Sequence, residues 1–132
     1  MLVDEKFKNI KGELELELVQ LYLAQGDTDN TIVRLESIIK DYHRTKISAE
    51  AYYLMGQINL SRIWNPKTAK ENFSQVKKEY NRSEYGPIAD SKIKAIEGYS
   101  ESLNSLKIYE SVSLDTMVAD TAINDSIKKK NP

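Results

Sequence analysis

The sequence predicts an all-α fold, and three observations support this prediction. The chain has only five Gly and three Pro in 132 residues, and 30% of its residues are charged, a composition that favours helices over turn-rich β architectures. Its apolar residues recur at steps of three and four, which places them on one side of a helix. One stretch of the sequence is also repeated further along the chain. The length suits one compact core.

The repeat relates residues 31–45 to residues 69–83 at a shift of 38 residues. Each copy reads as an amphipathic helix that ends near a tyrosine. Together with the apolar segment that precedes it, each copy makes one helix pair. The shift aligns Tyr42 with Tyr80, Leu35 with Phe73, Ile38 with Val76 and Arg44 with Arg82.

Five helices follow from the apolar stripes and from the breaks between them. The first four form two pairs, and the fifth is long enough to lie across the second pair and close the stack. In the first helix the predicted packing stripe contains Leu14, Leu18 and Tyr22. The predicted bounds are 5–25, 29–43, 46–62, 66–80 and 86–109.

The turns inside the two pairs have the chemistry of helix ends. Gly26 supplies the left-handed residue that ends the first helix. The second helix is then capped by one of three adjacent residues, Asp27, Thr28 or Asp29. In the second pair, Asn65 followed by Pro66 is typical of an N-cap and a first helical position.

The last part of the chain differs in composition. Residues 1–110 are predicted to form the helical repeat domain, and residues 111–132 a C-terminal extension. Asp-Thr and Asp-Ser steps favour caps and turns over a helix interior. The extension is therefore expected to fray or to dock on a partner, including a second copy of the chain. Its apolar residues are Leu114, Met117, Val118, Ile123 and Ile127.

The second pair resembles the tetratricopeptide repeat (TPR), a helix-turn-helix unit. Gly56 and Ala69 stand where that family has small residues that let two helix backbones approach, and Phe73 fills the gap between them. The resemblance implies a right-handed superhelical stack of about two pairs with a long capping helix. The residues that match the family's pattern are Tyr52, Met55, Gly56, Ala69, Phe73 and Val76.

The joints that follow Tyr42 and Tyr80 resemble the Tyr-Pro-x-Ser linkers of bacterial cell-envelope TPR proteins. This group includes the outer-membrane barrel-assembly lipoprotein and the Tol-Pal-associated periplasmic factor. His43 and Asn81 stand where those linkers have proline. The resemblance implies a periplasmic or outer-membrane-associated location if the sequence is cut from an exported protein, and a cytoplasmic one otherwise.

Several classes of function are excluded by residue content. The chain has no Cys and one His, His43, so it cannot build a thiolate nucleophile, a two-histidine metal site or a Ser-His-Asp triad within one chain. No glycine-rich phosphate loop is present. We predict a protein that is not an enzyme and has no cofactor or metal. A net charge of −1 argues against nucleic acid, and no apolar run is long enough for membrane insertion.

The predicted function is a non-catalytic scaffold that binds a peptide or helix of a partner protein in a bacterial cell-envelope complex. The TPR resemblance implies that the first helix of each pair lines a concave groove. Tyr53 and Gln57 are expected to face outward into this groove. Trp64, in the turn before Asn65, is interpreted as a lid on the helix pair or as an exposed anchor. The alternative function is a structural piece of a longer solenoid, or a self-associating subunit. The predicted partner-binding residues are Gln20, Leu23, Tyr53, Gln57, Leu60 and Tyr99.

Overall fold

The computed structural model describes the backbone of residues 2–130 and the side chains of residues 4–112. Within these residues the chain forms helices and no strand, which confirms the all-α prediction. None of the described helices combines the length and the hydrophobicity needed to cross a membrane. The helices are α1 (Leu2–Ala24), α2 (Thr28–Asp41), α3 (Lys46–Ser61), α4 (Pro66–Glu79) and α5 (Tyr85–Lys130).

The first four helices agree with the predicted bounds to within about three residues, and the differences lie at the helix ends, where helices fray. The predicted end of α5 at residue 109 is wrong, because the helix continues to Lys130. Neither Gly nor Pro occurs between Gly98 and Pro132, so the Asp-Thr and Asp-Ser steps weaken the helix without breaking it. The predicted docking of the C-terminal extension depends on side chains beyond Val112, which lie outside the described residues.

The contacts divide the chain into two compact units, Met1–Ile96 and Glu97–Pro132. The first unit contains α1 to α4 and the beginning of α5. The second unit contains the rest of α5, and most of its described side chains are exposed. The predicted division of the chain at residue 110 stays a prediction.

The turn between α1 and α2 forms as the sequence indicates. Gly26 has a φ of +80°, the left-handed conformation that favours glycine. The Asp27 N–H donates to the carbonyl oxygen of Tyr22 over 3.0 Å. The Asp27 Oδ1 in turn accepts from the Asn30 N–H at 3.3 Å. Asp27 is therefore the residue, of the three candidates, that caps α2.

The turn between α3 and α4 also has the predicted cap. Asn65 Oδ1 accepts a hydrogen bond from the Thr68 N–H at 3.2 Å, and Pro66 begins the helix. Trp64 has a φ of +59° and is 60% exposed. Most of its side chain is therefore exposed, which favours the anchor interpretation over the lid.

The two joints that follow the repeated tyrosines share a capping device. Thr45 Oγ1 accepts from the N–H groups of Ile47 and Ser48 at 3.2 and 3.4 Å, which caps α3. Ser83, the counterpart of Thr45 in the repeat, accepts from the Tyr85 N–H at 3.2 Å where α5 begins. The repeat seen in the sequence thus corresponds to a repeated local structure.

A buried carboxylate connects the first joint to α4. The Arg44 backbone has a φ of +58°, and its N–H donates to Glu79 Oε2 at 2.8 Å. His43 Nδ1 lies 3.4 Å from Glu79 Oε1. The Glu79 side chain is only 6% exposed, and a buried carboxylate is tolerated when a donor such as the Arg44 N–H satisfies it. Glu79 therefore ties the joint between the pairs to the second pair.

The core of the first unit consists of two hydrophobic clusters. One lies between α1, α2 and α3, and the other between α3, α4 and the beginning of α5. Since α3 contributes to both clusters, it is the central helix of the unit. The first cluster contains Leu16, Val19, Leu35, Ile38, Tyr42, Ile47, Ala51 and Ile58. The second contains Ala49, Tyr53, Ala69, Phe73, Val76, Ala89 and Ile96.

In the second cluster, the Phe73 ring of α4 packs directly against the backbone of α3 at Gly56. A Cβ added there would lie 2.6 Å from Cε1 of Phe73, closer than two carbon atoms pack. Phe73 and Ala69 are fully buried on the facing side of α4. The predicted packing of Gly56 against Phe73 is therefore confirmed.

The predicted packing face of α1 is wrong. Leu14 is 60% exposed and Leu18 is also exposed, whereas Leu16 and Val19 are buried in the first cluster. Both sides of this helix are apolar, so periodicity alone does not identify the side that faces the core. Tyr80, the counterpart of the buried Tyr42 in the repeat, is exposed at the end of α4.

Truncation of Phe73 tests the packing of the second cluster. Phe73→Ala should lower the free energy of unfolding by about 3–5 kcal/mol, because it removes a buried ring and leaves a cavity. Val33→Ala, a change at an exposed position of α2, should change it by about 0.5 kcal/mol or less. Urea denaturation of both variants measures the difference. Equal stability of Phe73→Ala and wild type would contradict the packing described here.

Candidate functional site

An open cavity in the first unit lies between α1 and α3, the first helices of the two pairs, and the beginning of α5. Its volume is about 570 Å³. Apart from one adjacent pair on each helix, the residues of α1 and α3 that line it lie three or four apart, so each helix presents one side to the cavity. The lining residues are Glu13, Leu16, Glu17, Gln20, Lys46, Ile47, Glu50, Tyr80, Arg82, Ser83, Glu84 and Tyr85.

Two core residues contribute apolar surface to the cavity lining. Leu16 of α1 and Ile47 of α3 are almost fully buried, and both belong to the first hydrophobic cluster. Gly12, one turn before Leu16, is also buried, and a Cβ there would lie 3.0 Å from the Ile47 side chain. This close contact holds α1 against α3, so the apolar lining belongs to the packed core.

Charged groups surround this apolar lining, and most of them are acidic. Four glutamates and two cationic residues, Lys46 and Arg82, line the cavity. Lys46 Nζ lies 3.3 Å from Glu13 Oε1, but both side chains are more than half exposed, so this ion pair contributes little stability. The excess of carboxylates gives the cavity a negative potential.

Glu50 is the most enclosed of the four glutamates. Burial raises its pKa, and the hydrogen bond that it accepts from Tyr85 partly opposes this effect. The Tyr85 hydroxyl donates to Glu50 Oε1 at 3.0 Å. Burial, followed by the nearby Glu50 carboxylate, raises the pKa of Tyr85 to about 12. Tyr85 therefore keeps its proton at neutral pH and remains a donor.

Two successive aromatic contacts connect the hydrogen bond between Tyr85 and Glu50 to the core. The rings of Tyr85 and Tyr53 have centroids 4.8 Å apart, and those of Tyr53 and Phe73 are 5.7 Å apart. Such tilted aromatic pairs are favourable at these distances. Through Tyr53, the packing of Phe73 fixes the ring of Tyr85 and hence the hydroxyl that contacts Glu50.

The structure separates the predicted partner-binding residues into different environments. Gln20 is exposed and lines the cavity. Tyr53 is 7% exposed, so the prediction that it faces outward is wrong; its ring packs between Phe73 and Tyr85.

The other four predicted residues lie outside the cavity lining. Leu23 and Leu60 are half-buried against the first and second clusters respectively. Gln57 is half-buried, and Tyr99 is exposed in the second unit. Their contacts with a partner stay predictions.

The sequence contained a signal for residues of the cavity that the prediction missed. The shift that aligns the two tyrosine joints also aligns Lys46 with Glu84, and Ile47 with Tyr85. All four residues line the cavity. On α1, the spacing of Glu13, Glu17 and Gln20 places them on one side of the helix. Extending the repeat beyond the tyrosine joints would have identified these positions.

Replacement of Glu50 tests its environment. Because its pKa is raised by burial, the stability that Glu50 contributes is present below its ordinary pKa of 4.5 and is lost as the pH rises through the raised value. Glu50→Gln cannot ionise and keeps an oxygen that accepts from Tyr85. It should therefore be more stable than wild type at neutral pH and equally stable in acid.

Urea denaturation at about pH 7 and pH 3 measures this difference. Glu36→Gln, on the exposed side of α2, controls for the removal of a surface charge. A stability difference between Glu50→Gln and wild type that is the same at both pH values would contradict the assignment.

Comparison with known proteins gives no relative for this chain. No protein-family model, no curated protein and no solved structure matches it significantly. The functional interpretation therefore depends on the residues and geometry described above.

Proposed function

We propose that this chain is a non-catalytic protein-interaction module, built of TPR-like helix pairs, that holds a segment of a partner protein in the cavity. The observation that carries the proposal is the open cavity of about 570 Å³ between α1, α3 and the beginning of α5. The lining combines apolar surface with hydrogen-bond acceptors. A peptide presents the complementary combination of side chains and backbone N–H groups.

The openness of the cavity favours a chain segment over a small molecule. Sites for small molecules enclose most of the ligand's surface and are mainly apolar. Here the carboxylates of Glu13, Glu17 and Glu84 belong to exposed residues. An extended segment can place one side chain inside the cavity while its backbone remains at the rim.

The charge of the lining indicates the kind of segment. The four glutamates outnumber Lys46 and Arg82, and Lys46 is already close to Glu13. A Lys or Arg side chain of the partner would gain charge-assisted hydrogen bonds in this cavity. Glu50 lies deepest of the acidic groups, since its carboxylate contacts the half-buried Tyr85. The partner segment is therefore basic with an adjacent apolar residue.

The TPR-like arrangement is supported by local features. Gly56 packs against Phe73 as that repeat requires, and Thr45 and Ser83 both accept hydrogen bonds from backbone N–H groups at the start of the helix that follows each joint, α3 and α5 respectively. A setting in a bacterial cell-envelope complex is supported only by the sequence of the joints after Tyr42 and Tyr80.

The alternative function, a structural or self-associating subunit, is favoured by a different observation. Several large apolar side chains of α1, including Phe7 and Leu14, are exposed on the side away from the core. Such a face is typical of a contact with another chain. The exposed apolar side chains of α1 do not line the cavity, so one chain can present both surfaces.

Peptide binding tests the cavity directly. Wild-type protein applied to an array of immobilised peptides of varied sequence should bind a subset enriched in Lys and Arg beside apolar residues. Glu84→Lys reverses one charge of the lining and should weaken binding to these peptides about fivefold or more at low salt. Fluorescence titration of the selected peptides measures the change.

Glu36→Lys is the matched control, because it makes the same charge reversal at an exposed position outside the cavity lining. Its affinity for the selected peptides should stay close to that of wild type. If both variants weaken peptide binding equally, the effect is one of overall charge and the cavity is not the binding site. If the selected peptides lack basic residues, the proposed partner chemistry is contradicted.

A further inference from the structure

We propose that two copies of this chain associate through an apolar stripe on α1, with the two α1 helices antiparallel. The stripe lies on the side of α1 that faces away from the core. Its five large apolar residues are all exposed, and none of them lines the cavity proposed to bind a partner segment. The stripe consists of Phe7, Ile10, Leu14, Leu18 and Leu21.

The spacing of the stripe residues makes them one continuous face. Successive members are three or four residues apart, so they align along a single side of the helix. The opposite side of α1 contains Gly12, Leu16 and Val19, which are buried against the rest of the unit. A helix that is apolar on two opposite sides is typical of one that is buried on both.

Within the described residues, nothing covers the stripe. The helices that pack on α1 are α2 and α3, and they contact the side that contains Leu16 and Val19. The pattern of α1 therefore indicates a contact that the described part of a single chain does not supply.

The area of the stripe suits a dimer. Five side chains of this size, each more than a third exposed, present on the order of 500 Å² of apolar surface, near the upper limit for the patches of monomeric proteins. Two such stripes in contact would bury about 1,000 Å², which is the area at which specific protein interfaces begin.

The charge pattern of α1 favours pairing with a second α1 helix in the antiparallel orientation. The N-terminal half of the helix contains Lys6, Lys8 and Lys11 after the acidic Asp4 and Glu5 of its first turn, and the next turns contain Glu13, Glu15 and Glu17. In a parallel pair, like charges would face each other. In an antiparallel pair, the three lysines of each copy lie along the three glutamates of the other, which favours association.

The register follows from two residues beside the stripe. Lys6 and Glu17 are eleven residues apart, which is about three helical turns, so they lie on the same side of the stripe. If the two helices cross near Gly12, Lys6 of each copy faces Glu17 of the partner subunit. Ile10 then meets Leu14 of the partner subunit, and the apolar stripes overlap over residues 7–17 of each copy, while Leu18 and Leu21 lie against the N-terminal turn of the partner's helix.

Sedimentation of the full chain tests the association. Wild type should be a dimer at about 100 μM, and its apparent thermal stability should rise with concentration. Leu14→Lys places a charge in the middle of the stripe, in both copies, and should weaken self-association roughly tenfold or more. Circular dichroism should show unchanged helix content, because Leu14 does not contact the core.

Ile63→Lys is the control for the introduction of a lysine at an exposed apolar residue. Ile63 lies in the turn after α3, so this variant should remain a dimer. A wild-type protein that is monomeric at about 100 μM overturns the proposal, and the stripe would then belong to a contact with a different protein. A dimer that survives Leu14→Lys overturns it as well, and moves the contact to another surface.

A charge exchange tests the antiparallel register. Lys6→Glu and Glu17→Lys should each weaken the dimer several-fold, because each creates pairs of like charge across the interface. The double variant Lys6→Glu with Glu17→Lys restores the opposite charges and should recover most of the lost affinity. Additive weakening in the double variant overturns the antiparallel arrangement.

Discussion

The first unit depends on the contact between Gly56 and Phe73. Only a residue without a Cβ lets the Phe73 ring lie this close to α3, and that ring anchors the second hydrophobic cluster. Tyr53 packs on Phe73, and Tyr85 packs on Tyr53. The hydroxyl that contacts Glu50 is therefore positioned by a sequence of packed rings that begins at a glycine. The shape of the cavity is a consequence of core packing, because its wall is continuous with the core.

The second constraint is the joint between the two helix pairs. Arg44 adopts a left-handed conformation, which is uncommon for a residue with a side chain, and its N–H donates to the buried Glu79 carboxylate. Because Glu79 belongs to α4, this bond fixes the joint relative to the second pair. The joint leads directly into the Thr45 cap of α3. Since α1 packs on α3 through Gly12 and Ile47, the two first helices are held side by side and the cavity remains open between them.

Features that depend on a few neighbouring residues were predictable from the sequence. Gly26, Asn65 and Pro66 act through local backbone chemistry, and they form the turns that the sequence indicates. The two apolar sides of α1 were not distinguishable, because Leu14 and Leu16 fit the helical pattern equally well. Tyr53 was placed outward for a similar reason: its burial depends on Tyr85, which is distant in sequence. The cavity required the geometry of both joints, which the repeat indicates but does not specify.

Glu17 belongs to both proposed contacts, and this connects them. It lines the cavity, and it is also the residue that faces Lys6 of the partner subunit in the proposed dimer. A lysine brought close to Glu17 would reduce the negative potential that attracts a basic segment. Dimer formation would then weaken binding of that segment, and by thermodynamic reciprocity the bound segment would weaken the dimer to the same extent. The charge on one side of α1 would thus set the balance between self-association and partner binding.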